Sequence, residues 1–163
     1  MMRALIGTSL LAASLLVGGA VPASAQAKPT LGPYGYGSVK LGMSLKKARA
    51  TGAIVPIGSV TNPCTHWHIK KFPKVKWDWH LVISDEKGVV AISGRKGMKT
   101  PEGIGIGASF RRLKAAYPRL SKLAPNVYAV TTPRNRKAEY RFEVYNGKVG
   151  AIFLALKNRD CVR

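Results

Sequence analysis

Acidic residues are scarce in this chain: 7 Asp and Glu stand against 27 Lys and Arg in 163 residues, a formal net charge of +20. The seven are Asp78, Asp85, Glu86, Glu102, Glu139, Glu143 and Asp160, scattered so that no catalytic carboxylate motif is legible, and any acid–base pair would have to be assembled by the fold. Cysteine is nearly absent, with only Cys64 and Cys161, which excludes a cysteine-rich scaffold and leaves one pairing. No stretch beyond the first 25 residues is apolar enough to span a bilayer. No serine lies in a Gly-x-Ser-x-Gly elbow.

The N-terminus carries Arg3, an apolar run from Ala4 to Val21, and Ala23-Ser24-Ala25, the pattern of a signal peptide over residues 1–25; an uncleaved anchor is the alternative. No cysteine adjoins the cleavage site, which argues against a lipoprotein. Taking away 25 of the 163 residues leaves 138, enough for one domain with a sizeable core. The expected location is secreted, with cell-wall association as an option. In an oxidising compartment Cys64 and Cys161 are expected to form one disulfide.

Residues 26–37, rich in Pro and Gly, read as an irregular segment that Tyr34 and Tyr36 dock on the body. Residues 38–97 and 98–163 then run through the same order of elements. In the first, Val39 and Leu41 precede Gly42, Ser44 caps a helix from Leu45 to about Thr51, and Gly52 ends it. A brief strand at Ile54-Val55 and an alternating one at 65–69 follow. Trp77, Trp79, Leu81 and Ile83 continue the alternation with one face inward, and 85–88 turns the chain into Val89–Ser93. In the second, Ile104 and Ile106 precede Gly107, Ser109 starts a helix through Tyr117, and Val127–Thr131 is a strand. Tyr140, Phe142 and Val144 alternate inward, and Asn146-Gly147 predicts a tight hairpin into Val149–Leu156. The expected fold is α+β: two similar halves, each a short helix packed on antiparallel strands.

The stretch Gly42-Met43-Ser44-Leu45-Lys46-Lys47-Ala48 resembles the Gly-Met-Ser/Thr helix start of the β-lactamase inhibitory protein family, and of the small lipoprotein of the outer-membrane barrel-assembly machinery. Two copies of a helix followed by antiparallel strands are similar to the inhibitor, so the resemblance implies a tandem, inhibitor-like fold that binds protein. The chain departs from that pattern in its strong basicity, its single cross-half cysteine pair and Ala108 in place of a large residue. No inhibitory residue is carried over. The chain also looks like small exported proteins of Gram-positive bacteria of unassigned role.

Four sets of residues invite a chemical reading. Cys64, His66 and His68 share one face of a strand, with His80 nearby, a set that zinc favours; this motivates a small secreted metal-dependent hydrolase as the alternative function. The default is a disulfide, no metal or cofactor, and histidines on a solvent face. Ser44 and Ser109 read as helix caps rather than nucleophiles. Lys46-Lys47 and Arg111-Arg112 stand in the first helical turns, where the dipole is already positive; with Ser44 and Ser109 they are candidate anion-binding sets, against the simpler reading of a solvated face. Lys70, Lys71, Lys74 and Lys76, and Arg134, Arg136 and Lys137, form two basic loops before the hairpins, where a scaffold presents binding groups. No nucleic-acid motif accompanies them, so specific nucleic-acid binding is not expected. The leading function is non-catalytic: a basic binding protein engaging an acidic extracellular protein or an anionic cell-wall polymer.

Overall fold

The computed structural model describes residues 30–58, 62–73 and 78–161. The signal-peptide reading over 1–25 lies outside the described residues, as do Lys74, Lys76 and Trp77. Three two-residue strands, β1 (Leu31–Gly32), β2 (Gly35–Tyr36) and β3 (Val39–Lys40), form a small antiparallel sheet. Helix α1 (Leu45–Ala50) leads into β4 (Ile54–Ile57), β5 (Cys64–Ile69), β6 (Leu81–Ser84) and β7 (Gly88–Ser93). Helix α2 (Phe110–Ala116) leads into β8 (Ser121–Ala124), β9 (Val127–Thr131), β10 (Ala138–Tyr145) and β11 (Lys148–Leu156). The last eight strands make one antiparallel sheet in the order β4-β5-β6-β7-β11-β10-β9-β8. The fold is α+β and mostly β.

Residues 26–37 were expected to be irregular, and from Leu31 onward they are not. Gly35, at φ 150°, brings its backbone against β3: a Cβ there would stand 2.1 Å from the Val39 carbonyl oxygen. Only glycine permits that approach. Leu31 and Tyr36 are buried, and the Tyr140 hydroxyl donates to the Leu31 carbonyl at 2.7 Å, tying the small sheet to the core.

Side-chain period and pairing register build one continuous core row. Trp67 pairs with Leu81, Leu81 with Ile92, Ile92 with Leu154, Leu154 with Tyr140, and Tyr140 with Val130. All but Val130 are buried, and the row belongs to the cluster that includes Ala48 of α1 and Leu113 of α2. Each fully buried Leu or Ile of such a row stabilises the fold by about 1.5–3 kcal/mol. Helices of six and seven residues are not stable alone. They hold because Ala48 and Leu113 are fully buried on the sheet.

The opposite face carries a smaller cluster of Val82, Val90, Ala91, Ala155 and Cys161, with Trp79 and Leu156 packed against it. Cys64 and Cys161 are disulfide-bonded with Cα atoms 6.0 Å apart, fastening residues 157–161 over this face. Two expectations change here. Trp79 precedes β6 and lies with the smaller cluster, its ring 5.7 Å from Phe153, and not beside Leu81. His80 and His68, expected on a solvent face, are buried. The alternation begins only at Leu81, because the chain from 78 to 80 is not yet strand.

Each helix start is pinned to a strand by two hydrogen bonds. The Gly42 amide donates to the Val89 carbonyl at 2.8 Å and the Val89 amide to the Met43 carbonyl at 2.9 Å. The Gly107 amide donates to the Val149 carbonyl at 2.7 Å and the Val149 amide to the Ala108 carbonyl at 2.9 Å. The hairpin turn has Asn146 and Gly147 both at positive φ, 48° and 70°, as a type I′ turn requires.

Candidate functional site

The helix-start cations occupy two separate places. Ser44 Oγ accepts from the Lys47 amide at 3.4 Å and Ser109 Oγ from the Arg112 amide at 3.3 Å, so both serines are engaged as N-caps. Lys46, Lys47, Arg111 and Arg112 are exposed. Ser93 faces Phe153 across the central strand pair, so Val89 and Val149, the anchors of the two helix starts, stand eight strand residues apart. At about 3.3 Å per residue that is roughly 25 Å. The two sets cannot close on one small anion.

The basic loops diverge too. Lys70 and Lys71 lie beside Tyr36 and Ile69 at a shallow pocket of about 300 Å³. Arg134 and Arg136 instead border a groove of about 840 Å³. Arg119 lines the same groove, a residue missed in the sequence because it sits alone after α2, 15 positions before Arg134. Pro118, Pro133 and Val130 supply apolar walls. Lys137 is exposed and does not line the groove.

The loop carrying these arginines is held from several sides. Thr132 Oγ1 donates to the Asn135 carbonyl at 2.8 Å, Asn135 Nδ2 donates to the Pro33 carbonyl at 2.7 Å, and the Tyr34 hydroxyl donates to the Arg134 carbonyl at 2.5 Å. Arg134 sits at φ 66°. Non-glycine residues at positive φ are uncommon, with Asn favoured among them. The other two here, Asn126 and Asn146, follow that preference; Arg134 does not.

Carboxylates are engaged elsewhere. Asp78 forms a bidentate pair with Arg95, which holds its carboxyl below the usual range, the hydrogen bond being the main cause. Glu139 meets Arg141 at 2.7 Å and Arg159 at 3.0 Å. Glu143 accepts from the Tyr145 hydroxyl at 3.1 Å, and Asp160 from Ser84 Oγ at 2.6 Å. The Tyr117 hydroxyl, on the groove's wall, is hydrogen-bonded to Glu102 Oε2 at 2.5 Å and to Thr100 Oγ1 at 2.7 Å. Burial first and Glu102 second push the Tyr117 phenol far above its ordinary value, and burial does the same to Tyr140. Neither phenol ionises at neutral pH.

The histidine set divides as well. His68 and His80 meet edge to face with ring centroids 4.7 Å apart, whereas His66 is exposed and 6.1 Å from the Trp79 ring. His80 Nδ1 accepts from the Ile69 amide at 2.9 Å, which places the proton of the neutral ring on Nε2. Desolvation, then the charges of Arg95 and His68, lower its pKa to about 4. Cys64 is committed to the disulfide, so the thiolate of the zinc-like set is gone. Among the described residues no three His, Cys, Asp or Glu side chains are grouped to hold a metal ion, and no helix is long and apolar enough to cross a membrane.

No known family model, curated protein or solved structure matches this chain.

Proposed function

We propose that this chain is an exported, non-catalytic binding protein whose basic surface engages an acidic partner outside the membrane. The observation that carries the reading is the internal use of its few carboxylates: Asp78, Glu102, Glu139, Glu143 and Asp160 are each bonded to a neighbouring side chain. Of the seven, Asp85 and Glu86, at one hairpin turn, and Asp160, bonded to Ser84, are exposed. Among the described residues, Lys46, Lys47, Arg111 and Arg112 of the helix starts and Lys70, Lys71, Arg134, Arg136 and Lys137 of the basic loops thus face solvent with little acid to screen them. The disulfide fits an oxidising location outside the cell.

Two similar halves, and with them the inhibitor-like ancestry, belong to the same proposal. Support comes from the paired clamps of Gly42 with Val89 and Gly107 with Val149, and from β-bulges at Val82/Ile83 and Glu143/Val144, 61 residues apart. Ile83 pairs with Val89, as Val144 pairs with Val149. A tandem origin accounts for such matched irregularities, which hydrophobic pattern alone does not demand. The rival metal-dependent hydrolase on His66, His68 and His80 gains no comparable support, since one ring is exposed and apart and a second has its Nδ1 committed to Ile69.

A salt titration tests the function. Mature protein is titrated with an anionic polymer at rising ionic strength, beside a Lys46/Lys47/Arg111/Arg112→Gln variant. Binding that persists near 0.15 M salt, where the Debye length is about 8 Å, is the expected result. Absence of binding to anionic polymers and acidic proteins alike at that ionic strength would overturn the proposal.

A further inference from the structure

Resting on the basic-binding reading above, we infer that the groove between α2 and the β9–β10 loop is a binding site for a phosphodiester chain, gripped by Arg119, Arg134 and Arg136. Three observations converge on it. The first is charge: three arginines line one groove, and none makes an ion pair among the described residues, the pairs there being those of Arg95, Arg141 and Arg159. Glu102, which meets the groove-lining Tyr117, has its carboxylate bonded to the Tyr117 hydroxyl. The second is shape. At about 840 Å³ the groove is far larger than one phosphate and falls in the range of sites that enclose organic ligands. Pro118, Pro133 and Val130 offer apolar walls for the carbon spacers between charges.

The third is the backbone of Arg134. A residue at φ 66° that is neither Gly nor Asn is conformationally costly, and such residues concentrate where a side chain has work that its backbone does not favour. The cost is sustained by Tyr34 on the Arg134 carbonyl and Asn135 on the Pro33 carbonyl. These bonds also preorganise the loop, which reduces what a ligand must supply to order it. Arginine is present at all three positions, and its planar fork bonds two oxygens of a phosphate at once, which lysine cannot do. Repeated charges on a flexible spacer match three cations spread along a walled groove better than a single anion does.

The test uses a synthetic glycerol-phosphate oligomer and a polyglutamate of equal charge, titrated into the mature protein at about 0.15 M ionic strength. Arg119/Arg134/Arg136→Gln is compared with Lys96/Lys122/Lys148→Gln, which removes the same charge at exposed positions outside the groove, the helix starts and the basic loops. The expected result is a loss of at least about tenfold in affinity for the phosphate oligomer in the groove variant, beyond that of the control. Arg134→Gly supplies a second readout, since it retains the carbonyl that Tyr34 holds and relieves the positive φ. It is expected to raise the melting temperature while weakening the oligomer, an opposition that a purely structural arginine would not produce. Equal losses in the two triple variants would overturn the groove and leave the basic-binding function standing. Failure of wild type to bind either polymer would overturn the function itself. Tighter, groove-dependent binding of polyglutamate would overturn the phosphodiester assignment in favour of an acidic protein chain.

Discussion

Removing the disulfide is the perturbation whose size the structure defines best. Cys64 and Cys161 are 97 residues apart, so the bridge closes a loop comprising most of the described chain. In the chain-entropy relation a loop of that length restricts the unfolded ensemble by about 5 kcal/mol at 25 °C. For a urea dependence of about 2 kcal/mol/M, the Cys64→Ser/Cys161→Ser variant should unfold about 2.5 M earlier than wild type. The slope should steepen slightly as well, because the uncrosslinked unfolded chain is more expanded. Equilibrium urea unfolding followed by tryptophan fluorescence measures both quantities, and reduced wild type should behave like the double variant. A local effect accompanies the global one: the bridge holds residues 157–161 over Val82 and Val90, and Asp160 on the Ser84 hydroxyl. If the midpoint moved by less than about 0.5 M while only amides of β6 and the C-terminal segment lost exchange protection, the bridge would be a local fastener and the loop argument would be refuted.

Gly88→Ala should destabilise by about 2–4 kcal/mol, since its Cβ would stand 2.5 Å from the Met43 carbonyl oxygen at φ 67° and disturb the clamp to Val89; thermal unfolding at neutral pH measures this. Ser44→Ala and Ser109→Ala should each cost about 0.5–1 kcal/mol, at the weaker end for N-caps because the bonds are long, and their effects should add in a double variant. Acid titration should reveal His80. Its folded pKa, lowered to about 4 from 6.5, means that the unfolded state binds the extra proton, so its contribution is complete above pH 6.5 and is lost as pH falls to about 4. Over that window the loss is about 3 kcal/mol, in a pocket where Asp78, Arg95 and His68 also act on the ring. His80→Asn, which keeps an acceptor for the Ile69 amide, should flatten the dependence in unfolding measured from pH 4 to 7; an unchanged slope would assign it to other groups.

Local residue order decided what depends on nearest neighbours along the chain. Period-two alternation at Tyr140, Phe142 and Val144 marks a strand with one buried face, Asn146-Gly147 accepts the positive φ of a hairpin turn, and Ser44 and Ser109 cap helices whose bounds were legible to within a residue or two. Two cysteines admit one pairing, so the disulfide was legible from composition. Strand β8 was not, because Ser121–Ala124 is exposed throughout and carries no alternation to read. The side taken by Trp79 and the burial of His68 and His80 depend on where β6 begins and on what packs over it, which periodicity does not report. The candidate site was half legible: Arg134 and Arg136 stood out as a basic loop, while Arg119 looked like one more cation in a basic chain. Only the sheet order and the return of α2 toward β9 and the following loop bring the three together, and the same order holds the helix starts roughly 25 Å apart. The grouping of these arginines depends on residues distant in sequence, so it was decided by tertiary packing and not by any segment alone.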